Sequence, residues 1–188
     1  MEIEYITKED IGPIIDLTMK HLTNGDYISK EISRAVEEGN YYGVKAVENG
    51  VLAGFNTYKR GIEFTLPHPE LTEVVSKLAP EESVFNGDSF YVDQRFRRKG
   101  IGRELTFRAR DHMMSLGGRY FLGELWVYPD GIIPASTPNS YYGDTVFERL
   151  VPFFYRDLHR YGMRCPICGE DCRCSAVVRL ARFKGDKE

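Results

Sequence analysis

Apolar residues along this chain recur at a spacing of two in some stretches and of three to four in others, and the switches between the two spacings predict a mixed α/β fold. A short apolar strand over Ile3–Ile6 is followed by Thr7, three residues before Asp10 in a capping-box arrangement. Ile11, Ile14, Ile15, Thr18 and Leu22 then fall at helical spacing, and Tyr27, Ile28, Ile32, Ala35 and Val36 mark a second helix from about Asp26 to Gly39. Tyr41–Val47 and Val51–Tyr58 read as strands joined by Asn49-Gly50, the dipeptide that best supports a type I′ hairpin. Strand character resumes at Ile62–Thr65, and Leu71, Val74, Val75 and Leu78 predict a short helix ended by Pro80.

Ser83–Val92 is another expected strand. The best-marked helix runs from about Ile101 to Leu116, with Ile101, Leu105, Ala109, Met113 and Leu116 as its buried stripe and Gly117-Gly118 as its stop. Tyr120–Tyr128 is apolar and aromatic, hence a buried strand, and Pro129–Asn139 is a loop. Val146, Phe147, Leu150, Val151, Phe154 and Leu158 support a helix ending at Gly162, kinked or restarted at Pro152. Ser175–Phe183 closes the chain as a strand. The expected order βααβββ(α)βαβαββ gives a mixed sheet flanked by helices.

At 188 residues and 42% hydrophobic, the chain suits one domain, residues 1–188, with a core of its own. The 25 Lys and Arg residues against 28 Asp and Glu leave a net charge of −3, so any anion site must be local. No apolar run approaches the ~18–20 residues of a membrane span, and Met1-Glu2-Ile3-Glu4-Tyr5 lacks a basic, apolar leader. With all four Cys confined to 165–174, these features point to a cytoplasmic protein in a reducing compartment.

The local anion site is Arg97-Arg98-Lys99-Gly100-Ile101-Gly102-Arg103, between a strand and a helix start, where successive N–H groups and a helix dipole hold phosphate oxygens. A dinucleotide fingerprint needs Gly or Ala at 105, where Leu105 stands, and a Walker loop needs Gly-Lys followed by Ser or Thr. No broader basic stripe or aromatic stacking motif accompanies the four cations at 95–99, which argues against nucleic acid. Arg97-x-x-Gly100-x-Gly102 resembles the acyl-CoA signature of the GNAT (Gcn5-related) N-acetyltransferases, and Phe90-Tyr91-Val92-Asp93 resembles the strand leading into it. The resemblance implies a GNAT-like acyl-CoA N-acyltransferase fold, with a mostly antiparallel mixed sheet. It implies acetyl-CoA as co-substrate and an amine acceptor, a small molecule or a protein amine. It places pantetheine at Tyr91 and Val92, the oxyanion at a backbone N–H near Val92, and pyrophosphate at Arg97, Arg98, Lys99, Gly100, Ile101, Gly102 and Arg103.

Acetyl transfer to an amine requires a base for the amine, a stabilised oxyanion and a proton for the leaving thiolate. The resembled family donates that proton from a Tyr on the penultimate helix. Phe154-Tyr155-Arg156-Asp157-Leu158 with Tyr161-Gly162-Met163 is a stretched version of that pattern, which makes Tyr155 the expected acid. Strand alternation puts Asp88 with Phe90 and Val92, and Glu124 with Leu122, Trp126 and Tyr128, so Glu124 and Asp88 are the candidate bases. Glu63, His21 and His68 receive no role. The loop over 129–139 either gates the acceptor site or covers a sheet edge.

Cys165-Pro-Ile-Cys168-Gly-Glu-Asp-Cys172-Arg-Cys174 joins a Cys-x-x-Cys knuckle to Cys-x-Cys, and four thiolates suit a closed structural zinc site. Free or oxidised thiols, a redox switch or an iron–sulfur cluster are the competing readings, and His159 is an alternative ligand. Two other functions fit the chain: a non-catalytic module of the same fold that uses a zinc-stabilised Cys knob as a contact surface, and transfer of a longer acyl group. A homodimer is compatible with either.

Overall fold

The computed structural model of the chain describes residues 1–22, 25–133 and 141–184, so residues 134–139 of the expected loop lie outside the description. Asn49 and Gly50 both take positive φ, 52° and 75°, as a type I′ turn demands. They join β2 (Tyr42–Glu48) to β3 (Val51–Arg60). β1 (Glu2–Tyr5) pairs outside β2, and β4 (Val84–Val92) pairs with β3. β5 (Tyr120–Val127), β6 (Gly143–Val151) and β7 (Ser175–Phe183) complete a sheet ordered β1-β2-β3-β4-β5-β7-β6. Every neighbouring pair is antiparallel except β4 with β5. Those two meet over Val84–Tyr120, Phe85–Phe121 and Asn86–Leu122 alone, and both strands then run on without each other.

Four helices flank the sheet among the described residues: α1 (Ile11–His21), α2 (Asp26–Glu37), α3 (Pro69–Leu78) and α4 (Ile101–Ser115). None is long and apolar enough to cross a membrane. The capping box holds: Thr7 N–H and Oγ1 both donate to Asp10 Oδ2, at 2.7 and 2.9 Å. α4 buries its expected stripe, Ile101, Leu105, Ala109 and Met113, against Val44, Ala46, Ala53, Tyr58 and Phe85. At about 1.5–3 kcal/mol per large apolar side chain, this face anchors the helix to the sheet. A second core gathers Leu71 and Val75 of α3, Leu122, Val178 and Leu180 of the sheet, and Phe154, Tyr155, Leu158 and Met163.

Two expectations fail here. Ile62–Thr65 is not a strand but an irregular crossing. Residues 146–162 do not form a helix: β6 occupies Gly143–Val151, and Tyr155 follows in a turn segment whose one regular piece is a 3-10 turn over Leu158–Tyr161. The half-buried positions of β6 are Gly143, Phe147 and Val151, four residues apart. Val146 and Leu150, which with Phe147 and Val151 give the segment its helical spacing, are exposed on this edge strand, so the apolar pattern there does not mark a buried face.

Candidate active site

The loop after β4 is built by backbone geometry. Asp93 caps a 3-10 turn over Gln94–Phe96, accepting from Arg95 N–H at 2.9 Å and from the Arg95 guanidinium at 3.1 and 2.8 Å. The Arg95 hydrogen bonds depress the Asp93 pKa to about 2. Arg98 and Gly100 are left-handed, at φ 64° and 81°, and Gly100 caps α4. The first-turn amides of Ile101, Gly102 and Arg103 therefore point out of the helix with no intrahelical acceptor, at the positive end of its dipole. A Cβ at Gly102 would stand 3.3 Å from the Phe90 ring, so α4 lies close on β4. Arg98, Lys99 and Arg103 are exposed, while Arg97 Nε donates to Val92 O at 2.9 Å. Of the sequence-expected phosphate residues, Ile101 is instead 2% exposed and packs in the core, so only its backbone N–H is available at the helix start.

β4 carries the geometry inward. Asp93 N–H donates to Ala53 O of β3 at 2.9 Å, and alternation then turns the Val92 N–H toward the open edge. Tyr91 is buried on Phe55 and stacks on His21 with centroids 4.8 Å apart. Thr57 pairs with Ser89 and Tyr58 with Gly87, so Asp88 is the extra residue of a bulge. The bulge overturns the expected face: Phe90 and Val92 pack beside α4, whereas Asp88 accepts from Thr57 Oγ1 at 3.2 Å and from Tyr41 at 3.4 Å. Lys59 Nζ lies 3.5 Å from Asp88 and 2.8 Å from Glu63. Burial opposes the charge on Lys59, but these two carboxylates outweigh it and its pKa is raised.

Where β4 and β5 part, a cavity of about 310 Å³ opens. Asp88, Glu124 and Tyr155 all line it, so the structure brings the three sequence-expected catalytic residues together. Thr65 N–H, on the irregular crossing, donates to Glu124 Oε1 at 2.8 Å, and Glu124 Oε2 is buried with no partner. Burial pushes the Glu124 pKa up to about 7, against the pull of the Thr65 hydrogen bonds and of Lys59. Tyr155 stacks on Trp126 at 4.1 Å, and burial, then Glu124, raise its pKa well above that of a free phenol. Glu31, Glu63, His21 and Tyr27 line the remaining wall, so Glu63 and His21, given no role by sequence reasoning, do face the site. His68 instead stacks on Phe154 at 4.0 Å.

Sequence reasoning missed Tyr142. It lines the same cavity from the α4 side, stacks on Phe121 at 3.7 Å and accepts from Asn56 Nδ2 at 2.8 Å. A signal was present in Gly143, whose φ of 156° and absent Cβ let the chain pass against Arg182 O and so fix Tyr142 beside it. The Cys segment also differs from the expected surface knob. Cys165, Cys172 and Cys174 are buried in the same core as Tyr155, and the four Sγ atoms all lie within 4.8 Å of one another. His159 is not among them; its Nδ1 is 3.2 Å from Arg156 O.

Comparison with known proteins agrees with this fold. A family model described as the acetyltransferase (GNAT) family matches residues 14–133. Arabidopsis thaliana NAA60, solved with a bisubstrate analogue, superposes with a TM-score of 0.66 at 15% identity, covering 98% of this chain and 100% of that one. An aminoglycoside 6′-N-acetyltransferase complexed with coenzyme A gives 0.64 at 13% identity, covering all of both chains. Salmonella typhimurium yncA, described as a putative acetyltransferase with its cofactor acetyl-CoA, gives 0.60 at 15%, covering 100% of this chain and 96% of that one. No curated protein sequence matches the chain significantly.

Proposed function

The chain belongs to the GNAT family of acetyltransferases, and on that premise we propose that it moves the acetyl group of acetyl-CoA directly onto a primary amine seated where β4 and β5 part. Residues 97–103 hold the pyrophosphate through backbone N–H groups and basic side chains, and pantetheine follows the open edge of β4 at Tyr91 and Val92. An acceptor that arrives as an ammonium first loses one proton to solvent, and the amine nitrogen then attacks the thioester carbonyl. The C–N bond forms, the thioester oxygen becomes an oxyanion facing the Val92 N–H, and the nitrogen gives its second proton to Glu124. As the oxyanion collapses the C–S bond breaks, and the CoA thiolate takes a proton from Tyr155.

The observation that carries this reading is Glu124: one carboxylate oxygen is fixed by Thr65 N–H, and the other is buried at the cavity without a partner. Asp88 fits the base role less well, because Thr57, Tyr41 and Lys59 already engage it. Its charge, with those of Glu31 and Glu63 against Lys59, makes the cavity wall acidic and favours an acceptor that arrives as a cation. A second reading assigns the acid to Tyr142, which lines the same cavity and whose oxygen accepts from Asn56.

The test begins with calorimetric titration by acetyl-CoA, with CoA and ADP as comparisons. Micromolar binding that weakens without the pantetheine arm supports the cofactor assignment, and no binding at millimolar ligand overturns it in favour of a non-catalytic module. A panel of acyl-CoAs then separates acetyl from longer groups. With Lys59, Asp88 and Tyr155 around it, Glu124 must ionise before it can accept a proton, so kcat/KM for an amine is expected to rise with pH through about 7. A flat profile from pH 5 to 8 removes Glu124 as the base.

A further inference from the structure

The connection from β6 to β7, residues 152–174, holds a 3-10 turn and isolated bridge positions at Arg164, Cys165 and Gly169 as its regular structure. Phe154, Tyr155, Leu158 and Met163 within it are nevertheless at most 2% exposed. A segment of this length with so few ladder hydrogen bonds needs another source of order to offset its loop entropy. The four cysteines stand at the end where it rejoins the sheet, immediately before Ser175 of β7.

Their arrangement is that of a ligand set. Cys174 Sγ lies 3.8 Å from Cys165 Sγ and 3.6 Å from Cys168 Sγ. A tetrahedron of thiolates about 2.3 Å from zinc has edges of about 3.8 Å, whereas a disulfide needs about 2.05 Å. The N–H groups of Ile167 and Cys168 both point at Cys165 Sγ at 3.4 Å, a pattern that stabilises a thiolate. Paired hydrogen bonds between Cys165 and Gly169, at 3.1 and 3.0 Å, close the knuckle, and Gly169 at φ 76° permits the turn. Tyr155 and Pro166 line the cavity from this segment.

We propose that Cys165, Cys168, Cys172 and Cys174 bind one zinc ion in a closed tetrahedral site that clamps the 152–174 connection and holds Tyr155 against Trp126. The metal replaces the thiol protons, which leave to solvent on binding, and the closed shell leaves no position for substrate. Neither the metal nor the clamp rests on the acetyltransferase reading.

The full-length chain, purified without chelator, is expected to carry one zinc per molecule by elemental analysis. Cobalt exchanged into it should show the intense visible bands of a tetrahedral thiolate site. Less than a tenth of an equivalent of zinc, with four titratable thiols or a disulfide detected by mass spectrometry, overturns the proposal. Trp126 is the single tryptophan of the chain, so its fluorescence reports on this wall alone. Removing zinc with a strong chelator should shift that emission to the red and raise hydrogen exchange at 153–164 at least tenfold. Cys168→Ser, at the most exposed of the four cysteines, should do the same in a folded protein. A zinc-free protein with unchanged Trp126 emission and unchanged exchange overturns the clamp. If neither form acetylates any amine, these readouts are unaffected, so failure of the enzymatic reading is seen separately.

Discussion

The two walls of the cleft are built by different means. The β4 wall rests on long antiparallel pairing with β3 and on a fifteen-residue helix that buries Ile101, Leu105, Ala109 and Met113. The wall facing it joins β5 to a connection that carries Tyr155 and has almost no regular structure of its own. The first wall presents backbone N–H groups, whose positions the helix start fixes whatever the side chains are. The second presents a carboxylate and a phenol, whose positions depend on packing. A cofactor common to a family suits the former, and an acceptor particular to one member suits the latter.

The sharpest way to break this comparison is Glu124→Gln. It should lower kcat by about 10²–10⁴ with acetyl-CoA affinity unchanged. The same variant should gain stability at alkaline pH. Glu124 has a folded pKa of about 7, above that of a free Glu near 4.3, so the native state binds the extra proton. Stability therefore falls as pH rises from about 4 through 7, and the loss is complete above that. Glutamine escapes it. Denaturant unfolding should show Glu124→Gln roughly 1–3 kcal/mol more stable at pH 8 and level with the parent at pH 4. Equal stability at both values would mean the carboxylate is better solvated than its surroundings indicate.

Gly100→Glu strikes the other wall. Nothing stands within 4 Å of a Cβ built there, so the fold should survive, with a strain of about 1–2 kcal/mol from the left-handed φ of 81°. A carboxylate at the helix start should cost roughly a hundredfold or more in acetyl-CoA affinity, about 3 kcal/mol, while Trp126 fluorescence stays constant. Unchanged affinity would sink the loop assignment.

The smallest effect sharpens the comparison. Tyr155→Phe should lower kcat by about tenfold or more and leave the acetyl-CoA affinity within twofold. Tyr142→Phe also strands the Asn56 amide, so it should destabilise the fold by about 1–3 kcal/mol besides any kinetic effect. If only Tyr142→Phe slows turnover, the acid lies on the α4 side of the cleft.

What the sequence disclosed follows the same division. Gly100, Gly102 and the basic run are legible because backbone conformation and local charge are properties of neighbouring residues. Asn49-Gly50 and the Thr7 to Asp10 box are legible for the same reason. Glu124 was found from alternation along an unbroken strand. The face of Asp88 was misassigned because a bulge in β4 resets that alternation, and no local pattern announces it. The strand β6 reads as a helix because Val146, Phe147, Leu150 and Val151 fall at helical spacing, although Val146 and Leu150 are exposed on an edge strand and belong to no core. Tyr155 reaches the cavity from a turn, through contacts with Trp126 and Phe154 made across the chain, which a helical reading of 146–162 had no means to foresee.

The short seam between β4 and β5 also bears on how the chain reaches this shape. β1 to β4 with α4, and β5 to β7, each assemble through antiparallel neighbours, and three parallel residue pairs then join the two halves. Parallel pairing across a helical crossover closes a large loop before any contact offsets it, which makes it the slow kind of step. The seam is therefore expected late in folding, after α4 has docked. During synthesis the cofactor half would be complete before the acceptor half has left the ribosome, and substitutions at Phe121, on the β5 side of the seam, should speed unfolding more than they slow folding.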